Sequence, residues 1–377
     1  MIDLSYNSPL AKIIKSEIRD NGVLSFADFM QKALYHPQYG YYTTKKNIFG
    51  VGGDFITAPL VSSLFSYTIA CQFINTGFDC MMEIGGGDGT LSADLLLYLQ
   101  RKNKLPAKYY ICEISPDLQQ TQQQLLKQKL PDYFANIQWV DDIPDNFSGF
   151  IIANEVLDAM AVEIFKTTDE GLKQIFVDIH YHKFIMIEKD AGFELKNNFN
   201  KIQQNLSHAI PYNYQSEICL KLDLYIKNLF QKINTAVVVC IDYGYPAAEY
   251  YRADRKKGTI LANYQHKVLD NVLKYAGLCD LSCFVDFTAV ADIAINSGFD
   301  LEGFINQGDF LINNNILKIA ENTQNKQNSK QRTQTAQQLK ELIMPSQMGE
   351  RFKVMAWSKN YNGSLQGFAE NDQTYRL

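Results

Sequence analysis

Residues 81–99 read MMEIGGGDGTLSADLLLYL, and their pattern decides the fold. An apolar lead carries one acid, Glu83. Gly85, Gly86, Gly87 and Gly89 follow almost without a break, and Leu91 to Leu99 then repeat apolar residues at helical spacing. Strand, glycine turn and helix is the predicted order. Clustered glycines cost chain entropy on folding, so they mark backbone that must take a positive φ or that a ligand approaches closely.

Of two phosphate-binding readings of the turn, one fails and the other is only partly met. A triphosphate loop needs GxxxxGK[ST], with a lysine to meet the phosphates, and no cation follows Gly89. A dinucleotide turn needs a third glycine for close helix packing, and that place, counted from Gly85, is Thr90. The pattern present is E-x-G-x-G-x-G: Glu83, Gly85, Gly87, Gly89. It suits a ligand that has no pyrophosphate but carries an ammonium, a carboxylate and a ribose. Glu83 is then placed to hold the ammonium, directly or through water. A second acid belongs at the end of the next strand, to grip both ribose hydroxyls, and Glu113 in YYICEIS stands there. Asp141 and Asp142 in WVDD end the third strand, on the adenine side. Together these acids predict S-adenosyl-L-methionine as the cofactor.

Outward from this stretch, short apolar runs alternate with helical ones. CMMEIG reads as a strand, TLSADLLLYLQRK as a helix, KYYICEIS as a strand, and PDLQQTQQQLLKQKL as a helix opening at Pro116. NIQWVDD and GFIIANEV read as two more strands. The alternation predicts βαβ units and an α/β fold with a parallel sheet between helical layers. Upstream, SPLAKIIKSEIRD and SFADFMQKALY predict helices, the second capped by Ser25. Residues 163–233 break the rhythm and predict antiparallel hairpins followed by a helical piece. The sheet resumes at TAVVVCIDYGY, with late strands near GFDLEGFINQGDFL and RFKVMAWS. Between those two, an Asn- and Gln-rich stretch predicts a solvated helical pair joined by a loop around 322–333. The expected plan is a helical lid segment over 1–60, a core over 61–162 and 234–377, and an insertion over 163–233.

Composition narrows the function classes. The chain has 377 residues, 46% of them hydrophobic, which suffices for a substantial core. A net charge of −5 lacks the cationic excess of a phosphate-binding surface, so no nucleic-acid partner is expected. The seven cysteines are scattered without a CxxC pair, which reads as reduced core thiols and no metal site. Cys279 and Cys283 have the spacing to meet on a helix. The N-terminus carries acids and no long apolar run, so neither a signal peptide nor a transit peptide is expected, and the expected location is cytoplasmic. No run approaches the ~20 apolar residues that span a bilayer, so no membrane insertion is expected.

Longer motifs resemble one family. HPQYGYY (36–42), GDFITAP (53–59), EIGGGDGTL (83–91), ANEVLDAMAV (153–162), IDYGY (241–245), VDFT (285–288) and MGERFKV (348–354) run nearly end to end. They resemble the MidA-type methyltransferases, which include a mitochondrial complex I assembly factor that methylates an arginine of a complex I subunit, and bacterial relatives. The resemblance implies a class I S-adenosyl-L-methionine-dependent methyltransferase. Its Rossmann-like, mostly parallel seven-stranded sheet would carry an N-terminal helical lid and an inserted β-hairpin and helical subdomain. It also implies a protein arginine as substrate and a complex I-type subunit as partner. The chain departs from the family pattern at Gly86 and Asp88, usually Pro and Arg, at Leu60, usually an acid, and at Phe284, usually His. NEVLDAMAV also loses an aromatic pair and a proline.

Candidate reactive groups follow the strand FIIA at the sheet edge. An arginine substrate stays protonated, so carboxylates are needed to orient it and offset its charge. Glu155 is the expected grip, with Asn154 and Asp158 beside it, and Asp242 follows AVVVCI on the same edge. His266 in NYQHKVL is the candidate proton acceptor. GDFITAP is expected to cover the cofactor, with Asp54 and Thr57 as polar contacts. Two other readings stay open: a methyltransferase for a small molecule, and a non-catalytic, cofactor-binding assembly chaperone.

Overall fold

The computed structural model describes residues 4–44, 57–265 and 267–377. Two compact units share the chain. One comprises Ile56–Val156, Ile226–Gly244 and Val290–Leu377; the other comprises Met1–Phe55, Leu157–Tyr225 and Tyr245–Ala289. The stretch 245–289, expected in the core, therefore groups with the N-terminal and inserted segments.

The first unit is built on seven strands: β1 (Cys80–Ile84), β2 (Lys108–Cys112), β3 (Ile137–Val140), β4 (Phe147–Asn154), β5 (Ile233–Tyr245), β6 (Asp300–Asn306) and β7 (Phe352–Lys359). They lie in the spatial order β6-β7-β5-β4-β1-β2-β3. β3, β2, β1, β4 and β5 pair in parallel, whereas β7 inserts antiparallel to both β5 and β6. The mostly parallel α/β sheet expected from the alternation is present. Its middle strands are buried on both faces, which is why FIIA in β4 and AVVVCI in β5 read as unbroken apolar runs.

Helices cover the sheet through leucine and phenylalanine stripes. Thr90–Arg101 buries Leu91, Leu95, Leu96 and Leu99, and Ser63–Thr76 buries Leu64, Phe65, Ile69 and Phe73. The late helical pair is tighter than expected. Ile316–Gln324 and Ser329–Ile343 leave only residues 325–328 between them, because Asn328 and Gln331 form a capping box that starts the second helix early. QGDFL, expected as strand, begins the helix Gln307–Asn313.

The second unit has its own core, with Leu10, Ile14, Phe26, Phe29, Tyr41 and Phe184 among its members. Ser8 and Ser25 cap its two N-terminal helices, Pro9–Asn21 and Phe26–Tyr35, by accepting from Ala11 N (3.0 Å) and Asp28 N (3.1 Å). The predicted hairpins are Glu163–Thr168, Gly171–His180 and Lys183–Asp190, all antiparallel. Cys279 and Cys283 share no helix: the strand Asp280–Ser282 separates them.

Candidate active site

Parallel pairing puts five strand ends in one row. Ile84 of β1 pairs with Cys112 of β2 and Ala153 of β4, Cys112 with Val140 of β3, and Ala153 with Cys240 of β5. One residue further on, Gly85, Glu113, Asp141 and Asn154 emerge together at the carboxyl edge, with Asp242 close behind on β5. Open α/β sheets bind ligands at this edge.

Backbone hydrogen bonds pin the glycine turn where it leaves β1. Gly85 N donates to Cys112 O at 2.9 Å, and Gly89 N donates to Gly86 O at 2.9 Å. Gly85, Gly87 and Gly89 take φ values of +72°, +52° and +86°, a region that costs an L-residue with a side chain roughly 1–2 kcal/mol each. Asp88, one of the departures from the family pattern, acts locally, its Oδ1 accepting from Thr90 N at 2.9 Å where the helix begins. The other departure, Gly86, is tightly surrounded; a Cβ there would lie 2.8 Å from both Gln122 Nε2 and Ile111 Cγ2.

Glu113 is buried, its Oε1 accepting from Ser115 N at 2.9 Å and its Oε2 from Gln122 Nε2 at 3.3 Å. Burial pushes its carboxyl above the ordinary range, against the opposing pull of N–H donors from Ser115, Gln122, Ile114 and Gly86. The next residue, Ile114, is 56% exposed, an apolar side chain left in the open beside the acid. Asp141 is exposed. Asp142 pairs with Lys232, and the hydrogen bond from that ammonium holds its carboxyl below the usual range.

Sequence reading misses Gln122, because its helix, Pro116–Lys129, reads as polar. The side chain is completely buried, donates to Gly87 O (2.8 Å) and accepts from Trp139 Nε1 (2.8 Å). Leu118, Gln122 and Leu126 lie at i, i+4, i+8, and that spacing is the available signal of an inward face.

Glu83 sits within β1 with 2% exposure, and its Oε2 accepts from the Ser92 and Tyr109 hydroxyls, the latter at 2.8 Å. Those bonds tie the strand to the following helix and to β2. Desolvation lifts the Glu83 carboxyl to about 7 from 4.5. Between these pH values the native state holds a proton that the unfolded chain has released. Its contribution to stability is therefore present at low pH and lost as pH rises through that window. Glu217 in the other unit is lifted to about 7 in the same way. The melting temperature should fall as pH rises from about 4.5 to 7, and Glu83→Gln should remove part of that slope. A thermal scan across this range decides it, and an unchanged slope would place the titration elsewhere.

On the substrate side, Asn154 ends β4 with its Oδ1 buried and without a hydrogen-bond partner, while its Nδ2 donates to Glu155 Oε1 at 3.3 Å. Glu155 N donates to Ile241 O at 2.8 Å, and Glu155 holds a φ of +53°. No helix starts there, so a helix-dipole role for this acid does not apply. Non-glycine residues kept in this region store about 1–3 kcal/mol and cluster at functional sites. Asp242 is buried, its Oδ1 accepting from Tyr243 N at 2.9 Å. Directly across the ladder lies Lys353 of β7, also buried, with Nζ donating to Asn306 Oδ1 at 2.9 Å and to Glu350 O. Lys353 is a second residue that sequence reading misses, although a lone lysine in the buried strand FKVMAWS is a signal.

The remaining expected residues are scattered. Thr57 stands before the short helix Ala58–Val61, buried and making no side-chain cap. Asp158 is buried in the other unit, where its carbonyl accepts from Cys283 N at 3.0 Å. Phe284 lies there too, its ring 5.6 Å from that of Tyr245. Asp54 and His266 lie outside the described residues. Among the described residues no group of three or more His, Cys, Asp or Glu is placed to hold a metal, and no helix is long and apolar enough to cross a membrane.

The edge fits S-adenosyl-L-methionine chemically: a bare positive-φ turn, a buried acid beside an open apolar side chain, and an unpartnered amide oxygen. Known proteins agree with it. A family model described as "Putative S-adenosyl-L-methionine-dependent methyltransferase" matches residues 75–305. A Burkholderia thailandensis protein solved bound to S-adenosyl-homocysteine is 30% identical, with a TM-score of 0.91 over 98% of this chain and 96% of that one. "Protein arginine methyltransferase NDUFAF7, mitochondrial" from Danio rerio is 27% identical over 93% of this chain and 87% of its own. The Homo sapiens protein of the same name is 28% identical over 93% and 83%. These names correct the cytoplasmic expectation, since relatives that match nearly the whole chain are mitochondrial. With the strand order, the glycine turn, the acids at the sheet edge and these matches in agreement, the chain belongs to the S-adenosyl-L-methionine-dependent methyltransferase family and is a methyltransferase using that cofactor.

Proposed function

We propose that this methyltransferase acts on an arginine side chain of a protein. The observation that carries the reading is the pair at the end of β4: a buried amide oxygen without a partner on Asn154, beside a carboxylate on Glu155 held in strained backbone. When bound, the cofactor supplies a methyl group on a positively charged sulfur. The turn Gly85–Gly89 would carry its amino-acid part and Glu113 would accept from both ribose hydroxyls. Ile114 and Asp141 would flank the adenine.

A guanidinium is planar, cationic and rich in N–H donors. Glu155 would accept from it, offset its charge and aim one nitrogen at the methyl, while Asn154 Oδ1 takes another N–H. Forming the nitrogen–carbon bond as the methyl carbon–sulfur bond breaks, with the neutral thioether as leaving group, would oblige the substituted guanidinium to shed one proton. Glu155, or Asp242 behind it, is the group to take that proton and release it to water. Alignment of the two reactants is worth ~7–11 kcal/mol of barrier. The names of the relatives support arginine as the target, and a complex I-type subunit, implied by the motif resemblance, is the first protein to test.

Incubation of the protein with methyl-labelled cofactor and a protein extract should place label on arginine, read by mass spectrometry. Label confined to small molecules, or to another side chain, would overturn the reading. The cofactor half is tested separately by calorimetry. Glu113→Ala loses two charge-assisted hydrogen bonds, about 1.5–3 kcal/mol each, so S-adenosyl-homocysteine should bind at least tenfold more weakly. Unchanged affinity in a folded variant would move the ribose elsewhere.

A further inference from the structure

The helix Pro116–Lys129 displays most of its glutamines to solvent, but Gln122 is completely buried. Its amide reaches three elements at once. Nε2 donates to Gly87 O at 2.8 Å and to Glu113 Oε2 at 3.3 Å, while Oε1 accepts from Trp139 Nε1 at 2.8 Å. The glycine turn has closed around this side chain: a Cβ on Gly86 would lie 2.8 Å from Gln122 Nε2, and one on Gly89 would lie 3.3 Å from Gln122 Cα.

We propose that Gln122 is a positioning residue of the cofactor site, one amide that fixes the ribose acid, the glycine turn and the end of β3 in a single arrangement. The proposal rests on the reading of Glu113 as the ribose ligand. An amide suits this role, since it offers two N–H donors on one atom and an acceptor on the other. Glutamate at this place has no donor and would set a like charge against Glu113. Methionine has the length without the polarity. Trp139 has a single donor, and spending it on Gln122 Oε1 orients the amide so that its N–H groups face Glu113 and Gly87.

The test is calorimetry of S-adenosyl-homocysteine on the full chain, with a ligand-free melt of each variant. Gln122→Met should weaken binding by roughly tenfold or more, and Gln122→Glu by more still. Because Gln122 acts largely through Glu113, the two effects should not multiply. The double variant Glu113→Ala/Gln122→Met should bind within about threefold of Glu113→Ala alone. A purely structural role would lower the melting temperature and leave that coupling at zero. Should Gln122→Met fail to fold, Trp139→Phe removes the orienting donor together with part of the ring that packs on Phe134, and should weaken binding by roughly threefold or more. Affinity within twofold of the parent in a folded Gln122→Met or Trp139→Phe protein, or full multiplication in the cycle, overturns the proposal. If Glu113→Ala itself leaves binding unchanged, the ribose reading has failed; if it weakens binding while Gln122→Met does not, only the present inference has.

Discussion

Gly87→Val is expected to abolish S-adenosyl-homocysteine binding, with affinity falling beyond the range of calorimetry. Gly87 holds a φ of +52°, and its carbonyl accepts from Gln122 Nε2 at 2.8 Å. A β-branched side chain is a steric outlier in that region. Valine must therefore rotate the backbone, which moves the carbonyl away from Gln122 and tilts the turn out of the ligand's path. Gly22→Ala is the control. Gly22 also has a positive φ, +90°, yet a Cβ there meets nothing within 4 Å. The control should lose about 1–3 kcal/mol of stability, since Gly22 combines that φ with a ψ of −172°, and keep its ligand. Equal loss of binding in both variants would mean that global destabilisation, not the turn, was being read. NADH should bind to neither the parent nor the variant; tight NADH binding by the parent would contradict the E-x-G-x-G-x-G assignment.

The second large effect is expected at Glu155. Glu155→Gln keeps the side-chain shape and the hydrogen bond from Glu155 N to Ile241 O, so affinity for S-adenosyl-homocysteine should stay within about threefold. Methyl transfer should fall at least ~100-fold, since a neutral amide cannot offset a desolvated guanidinium or accept its proton. Glu155→Gly separates chemistry from strain. It relieves the left-handed φ of +53°, so it should melt at or slightly above the parent temperature while remaining inactive. Near-normal transfer by Glu155→Gln, measured on the preparation used for the melt, would refute the carboxylate grip. Arginine specificity would then rest on the names of the relatives alone.

How much of the fold and site is legible in the letters depends on the range of the interaction. Helix caps at Ser8 and Ser25 bond within three residues, so the letters around them suffice. Strand–turn–helix at 81–99 is written by apolar periodicity and by glycines whose positive φ values are a local matter. The acids Glu113, Asp141 and Asp142 follow from the same rhythm: parallel strands of similar length put their last residues in one row. The helical pair near 316–343 is legible too, but its loop reads too long unless the capping box at Asn328 is weighed.

Tertiary structure decided what the letters treat as interchangeable. Among several glutamines on one helix, Gln119 meets only the Glu113 carbonyl, whereas Gln122 reaches Gly87, the Glu113 carboxylate and Trp139, which come from a turn, the residue after β2 and β3. Lys353 sits opposite Asp242 because β7 runs antiparallel beside β5, about a hundred residues later in the chain. Glu83 is aimed at Ser92 and Tyr109 by the crossing of a helix and β2, not by its place in the motif. The grouping of 245–289 with the N-terminal segments also depends on contacts remote in sequence, such as Ser8 Oγ donating to Ala276 O at 2.7 Å. Periodicity and caps act over one or two turns of chain, so the sequence alone determined the elements and the strand-end acids. A side chain's partners across the sheet are chosen by packing, which sets whether a polar group meets water, a ligand or another buried group.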